Sequence, residues 1–175
     1  MLIESHANQH LEFQKIRVVI PWFGRLPDYF PAWWYTAKNN KSIDFFIITD
    51  QQIDLAASNI FVICSSLSKE EQRISRVFGN KITLSSPYKL CDFRPMFGLI
   101  YSELLDGCDY WGYCDIDTAL GDLDRFVGPL VISGYDRIYS LGHLCLYRNI
   151  ESINLLFGKE GSIYTPQEIL RGDLH

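Results

Sequence analysis

Asp109-Tyr-Trp-Gly-Tyr-Cys-Asp115-Ile-Asp117-Thr-Ala-Leu-Gly121 is the stretch on which the fold of this chain turns. An apolar, aromatic run of strand character leads straight into two carboxylates and then a turn. Side chains of an extended segment alternate faces, so Asp115 and Asp117 point one way while Ile116 points to the core. Two acids side by side at a strand end repel, and burying them unpaired is costly. They require water, an Arg or Lys partner, or a metal. Hard divalent cations such as Mg2+ or Mn2+ take oxygen ligands, often one or two carboxylates together with substrate phosphates. The plainer alternative is a solvated Asp-rich turn in which Asp122 caps the following helix.

Outward from this stretch, the chain alternates strands and helices. Ile16–Ile20 is a β-branched run that predicts a central parallel strand. It ends in the abrupt turn Pro21-Trp-Phe-Gly24, which is neither a G-x-G-x-x-G nor a P-loop. A helix is predicted over 28–39, with Pro31 in its first turn and Trp33, Trp34 and Ala37 on its apolar face. Strands follow at 44–49, closed by Asp50, and at 60–64. Ser68 and Glu71 have capping-box spacing for a helix to about Phe78, stopped by Gly79. Beyond a Pro-bracketed irregular piece, Pro95 is placed to open a helix running to about Leu105. Past Gly121 the pattern predicts a short helix over 122–127, strands at 137–140 and 144–147, and a last helix over 151–157. The order predicts an α/β domain with a mostly parallel sheet, whose ligands belong outside the carboxyl ends of the strands.

The 175 residues suit one domain with a core of its own. A net charge of −5 without any Lys/Arg cluster excludes a duplex-binding surface, which needs a basic patch. The acidic balance also opposes free association with an anionic membrane, but not binding of a nucleotide that brings its own cation. Five scattered cysteines contain no C-x-x-C and no Cys/His ligand spacing. With no signal-like core at the N-terminus and no run of membrane-spanning length, the expectation is a soluble chain of the reducing cytoplasm. Aromatic residues crowd near the candidate loops, which suits stacking on flat or sugar-like groups as well as an aromatic core.

Four blocks resemble a bacterial family: Pro21-Trp-Phe-Gly24, Pro87-Tyr-Lys-Leu-Cys-Asp-Phe-Arg-Pro95, Trp111-Gly-Tyr-Cys-Asp-Ile-Asp117 and Gly142-His-Leu-Cys-Leu-Tyr-Arg-Asn149. Its members are similar to GT-A-fold glycosyltransferases of cell-surface polysaccharide synthesis, and the resemblance covers residues 16–157. It implies a GT-A-like sandwich in which Asp115 and Asp117, with Ile116 between them on the donor side, hold Mn2+ or Mg2+ against the diphosphate of a nucleotide sugar. UDP-sugars are the commonest donors in such folds, and the acceptor is a glycan or lipid-linked sugar, which allows a place at the inner face of the membrane. Pro21, Trp22 and Phe23 would lie along the nucleotide, and Asp50 near the base or ribose. Lys89 or Arg94 would reach the diphosphate or sugar, with Asp92 on hydroxyls or orienting Arg94. His143 would face donor or acceptor. Each has a structural counterpart: a turn-forming Asp50, a surface Lys89–Asp92 pair, a hydrogen-bonded His143. The resemblance identifies no catalytic base.

Two other readings stay open. Asp115-Ile-Asp117-Thr118 also matches the first motif of haloacid-dehalogenase-type phosphatases, with Asp115 as nucleophile and Asp117 as acid/base. That fold normally begins with this strand, and only Lys159 supplies a lysine after it. The third reading is a GT-A-like domain that binds a nucleotide or glycan without turnover. Residues 1–15 are expected to be a flexible segment and 158–175 a loosely packed tail. GT-A enzymes are usually longer, so the acceptor side is expected to be completed by a partner or by further sequence.

Overall fold

The computed structural model describes residues 14–159 and 168–169 of the chain. Six strands form one sheet in the order β3-β2-β1-β4-β6-β5. They are β1 Ile16–Trp22, β2 Ile43–Thr49, β3 Ile60–Cys64, β4 Tyr110–Cys114, β5 Arg137–Ile138 and β6 Leu144–Arg148. β1 pairs in parallel with both β2 and β4, and β2 with β3. β4–β6 and β6–β5 are antiparallel. The expected α/β architecture with a mostly parallel sheet is therefore present, and β1 is interior as its unbroken apolar run requires.

From β1 the chain passes through α1 (Phe30–Asn39) to β2 and β3 on one side. It returns on the other side of β1 as β4 and continues through α5 (Leu123–Ile132) to β5 and β6. β1 and β4 thus flank the point where strand order reverses, and a crevice opens beyond their carboxyl ends.

Alternation along the strands splits the interior into two cores. Val18, Ile20, Tyr110 and Cys114 face the first, beneath Trp33, Trp34 and Ala37 of α1 and Val127 and Val131 of α5. Val19, Trp111 and Tyr113 face the second. That side is covered by α2 (Leu67–Phe78), a 3-10 helix over Pro87–Met96, and the short helices α3 (Phe97–Ile100) and α4 (Ser102–Leu105). Gly98 lies there because a Cβ would stand 2.7 Å from the Trp111 ring.

Four local expectations are corrected. α2 is capped by Ser66, whose hydroxyl accepts from Lys69 N at 3.3 Å, while Glu71 accepts from Leu84 N at 2.7 Å. Starting two residues earlier than Ser68 brings Leu67 onto the second core. Pro95 lies inside the 3-10 helix, and the helix expected from it is broken at Tyr101. Tyr101 is fully buried and its hydroxyl reaches Glu70 at 3.1 Å. α5 continues through Pro129 to Ile132, because burial of Val131 outweighs the Gly128-Pro129 stop signal. The last helix divides into α6 (Glu151–Asn154) and a 3-10 turn over Leu156–Gly158. Most of the segments 1–15 and 158–175 lies outside the described residues; within the latter, Ile169 packs against the second core.

Candidate functional site

A cleft of about 660 Å³ occupies the crevice at the carboxyl ends of β1 and β4. Its floor is made where β4 ends. Asp115 N donates to the His143 carbonyl at 2.9 Å, which prolongs the β4–β6 ladder by one step and fixes His143 beside the acids. Ile116 is buried in the first core, and the turn that follows β4 brings Asp115 and Asp117 to the cleft together. One ligand atom from each of Asp115, Asp117 and His143 lies within 4.8 Å of the other two. Asp115 is half-buried, whereas Asp117 and His143 are exposed.

The 3-10 helix forms one wall. With three residues per turn it sets Lys89 and Asp92 on one face, where Lys89 Nζ meets Asp92 Oδ2 at 2.6 Å. Lys89 is buried, and this pair stands behind the wall rather than on it. Arg94 faces the cleft. Its guanidinium forms an ion pair with Asp115 Oδ1, lies 5.0 Å from the Tyr113 ring centroid, and is 3.4 Å from the Gly142 carbonyl oxygen. The other Asp115 oxygen is 3.4 Å from His143 Nδ1. Burial disfavours the Arg94 cation, but Cys91, Asp115 and Tyr113 more than offset it, so its pKa rises above the ordinary arginine value. Burial also pushes the Cys91 thiol up, which leaves it protonated and poorly nucleophilic at neutral pH.

The opposite wall comes from the β1–α1 connection. Trp22 extends β1 two residues beyond the predicted end, and Gly24 turns the chain with φ of +91°. Gly24 N donates to Asp50 Oδ1 at 2.9 Å, and Gln51 Nε2 donates to the same oxygen. The Gln51 bond, then the Gly24 bond, hold the Asp50 carboxyl below its ordinary value. Asp50 therefore ties down the loop, and it stands outside the cleft lining.

The fold brings Pro21, Trp22, Phe23, Arg94, Ile116 and the two aspartates into one cleft, with His143 at its edge. Lys89, Asp92 and Asp50 act from behind it. Sequence reasoning did not single out Tyr29 and Tyr88, which line the cleft with 51% and 75% of their surface exposed. Their position close after Pro27 and Pro87, at the starts of helical segments, was the available signal. All five cysteines are free thiols. Among the described residues no helix is long and apolar enough to cross a membrane.

The family of unknown function DUF6625 matches residues 18–171, most of the chain, and the chain belongs to that family. No curated protein matches it.

Proposed function

We propose that the chain is a GT-A-type glycosyltransferase that binds a nucleoside diphosphate sugar, most often a UDP-sugar, through a divalent cation. The observation that carries this reading is the position of the carboxylate pair. Asp115 and Asp117 lie beyond β4 where strand order reverses beside β1, in a cleft of about 660 Å³.

The donor set fits the cation. Two carboxylates and an imidazole within 4.8 Å suit Mn2+, which accepts nitrogen alongside oxygen, better than the all-oxygen preference of Mg2+. Asp115, Asp117 and His143 would hold it, and it would neutralise the leaving diphosphate as a Lewis acid. Trp22 and Tyr29 on one wall and Tyr88 on the other supply aromatic rings suited to a flat or sugar-like group. Arg94 brings a donor fork that matches phosphate oxygens. Among the described residues the carboxylates lining the cleft are the pair itself, and as metal ligands neither would be free to take a proton from an acceptor hydroxyl. Acceptor activation would then draw on groups other than this pair.

Titration calorimetry with a nucleoside diphosphate panel, in Mn2+ and in chelator, tests the reading. UDP is expected to bind tightest, and about tenfold or more tighter with Mn2+. Equal affinities would remove the metal, and no binding in any arm would remove the reading. Hydrolysis of a generic phosphomonoester without nucleotide affinity would favour the phosphatase instead.

A further inference from the structure

We infer that Arg94 is a stand-in cation, holding Asp115 until the metal and the nucleotide diphosphate arrive together. The inference rests on the proposed metal–nucleotide reading and adds an order of binding to it. Asp115 Oδ1 is already engaged by the Arg94 guanidinium, and Oδ2 faces His143 Nδ1 at 3.4 Å. Arg94 is the lining residue that carries positive charge, and it comes from a different wall than the carboxylates.

The charge balance explains why this matters. Two carboxylates beside one guanidinium leave a single net negative charge at the floor. A divalent cation entering alone would share Asp115 with Arg94, so that two cations crowd one carboxylate. A diphosphate entering with the metal changes that balance. Its oxygens accept the Arg94 N–H groups in the bidentate manner that guanidinium favours, and Asp115 is released to the metal. The Tyr113 ring face and the Gly142 carbonyl keep the guanidinium within the cleft throughout the exchange. Metal and nucleotide then raise each other's affinity by the same factor, as linkage demands.

The opposite role is that Arg94 merely positions Asp115 for the metal. The two roles predict opposite signs for one substitution. Mn2+ uptake is read directly from the loss of the free-ion paramagnetic resonance signal, with and without saturating UDP. In the unaltered chain UDP should tighten Mn2+ binding by about tenfold or more. In Arg94→Gln, Mn2+ alone should bind several-fold tighter, UDP in Mn2+ should bind weaker, and the coupling should shrink. Unchanged or weaker Mn2+ binding by Arg94→Gln would overturn the inference, as would the absence of coupling in the unaltered chain. The second of these needs no variant to fold. The Arg94→Gln result leaves Mn2+-dependent UDP binding standing, whereas the absence of coupling in the unaltered chain, or no Mn2+ uptake with or without UDP, would remove both the inference and the metal-dependent reading beneath it.

Discussion

At the carboxyl ends of β1 and β4 the cleft collects Arg94, Asp115 and Asp117, with His143 beside them, around open space. At the amino ends of β1 and β2 a second hollow of about 400 Å³ is lined by Ile16, Ile43, Leu123, Val127 and Val131. Polar groups at this end of the sheet answer one another. Ser42 donates to Asp124, and the buried Asn59 Nδ2 contacts the carbonyls of Ala37, Asn40 and Ile43 at 3.2, 2.8 and 3.1 Å. Asn40 in turn accepts from Leu123 N at 2.8 Å, which ties the start of α5 to the end of α1. The contrast separates two uses of polar residues. At one end they satisfy the termini of helices and strands; at the other, charged groups face a cavity large enough for a ligand.

If that division holds, substitutions at the two ends should affect different measurements. The largest effect is expected at the amino end. Ile43→Ala removes a fully buried side chain from the first core and should cost about 3 kcal/mol. Urea unfolding should report that loss while UDP affinity in Mn2+ stays within about twofold, since distant sites act independently. Weakened binding of similar size would break the comparison. Next comes Asp117→Asn, which should lower UDP affinity in Mn2+ by about a hundredfold and leave the urea midpoint nearly unchanged, because Asp117 is exposed. In chelator the variant and the parent should bind alike. The smallest effect concerns the Asp50 tether. Its carboxyl is held below the ordinary value of 3.8, so the tether is complete above that pH and is lost as pH falls through the lower, folded value. The Gly24 amide proton shift should titrate with a midpoint below 3.8, and Asp50→Asn should abolish the titration.

The parts of the fold legible in the sequence are those decided by uninterrupted local signals. The run from Ile60 to Cys64 matches β3 residue for residue, and Asp115 and Asp117 both line the cleft while Ile116 is buried in the first core, although a turn rather than an extended strand places them. What was not legible depended on distant partners. Ser66 and Ser68 both offer a hydroxyl at capping distance in sequence, and packing of Leu67 decided between them. Lys89 and Arg94 are equally basic, yet 3-10 geometry pairs the first with Asp92 behind the wall and leaves the second on it. No local pattern marks that geometry, since Pro87 and Pro95 are equally compatible with an irregular loop. His143 joins Asp115 only through the register of β6 against β4. Asp50 has the turn character expected of it, but its partner Gly24 belongs to a different loop.

The pairing of β1 with β4 also bears on how the chain acquires its site. The Lys15 amide donates to Asp109 across 94 positions, at the entry to that pairing, and the α1, β2, β3 and α2 elements all lie between. Closing so long a loop is entropically slow compared with forming the local contacts inside it. On a ribosome, β1, β2 and β3 emerge with their intervening helix well before the acidic pair does. Nascent chains therefore cannot present the two aspartates beside the β1 loop until β4 has inserted next to β1. Acquisition of the ligand-binding cleft is then a late event in folding, and a strand-pairing error at β4 would yield a molecule with half a sheet and no site.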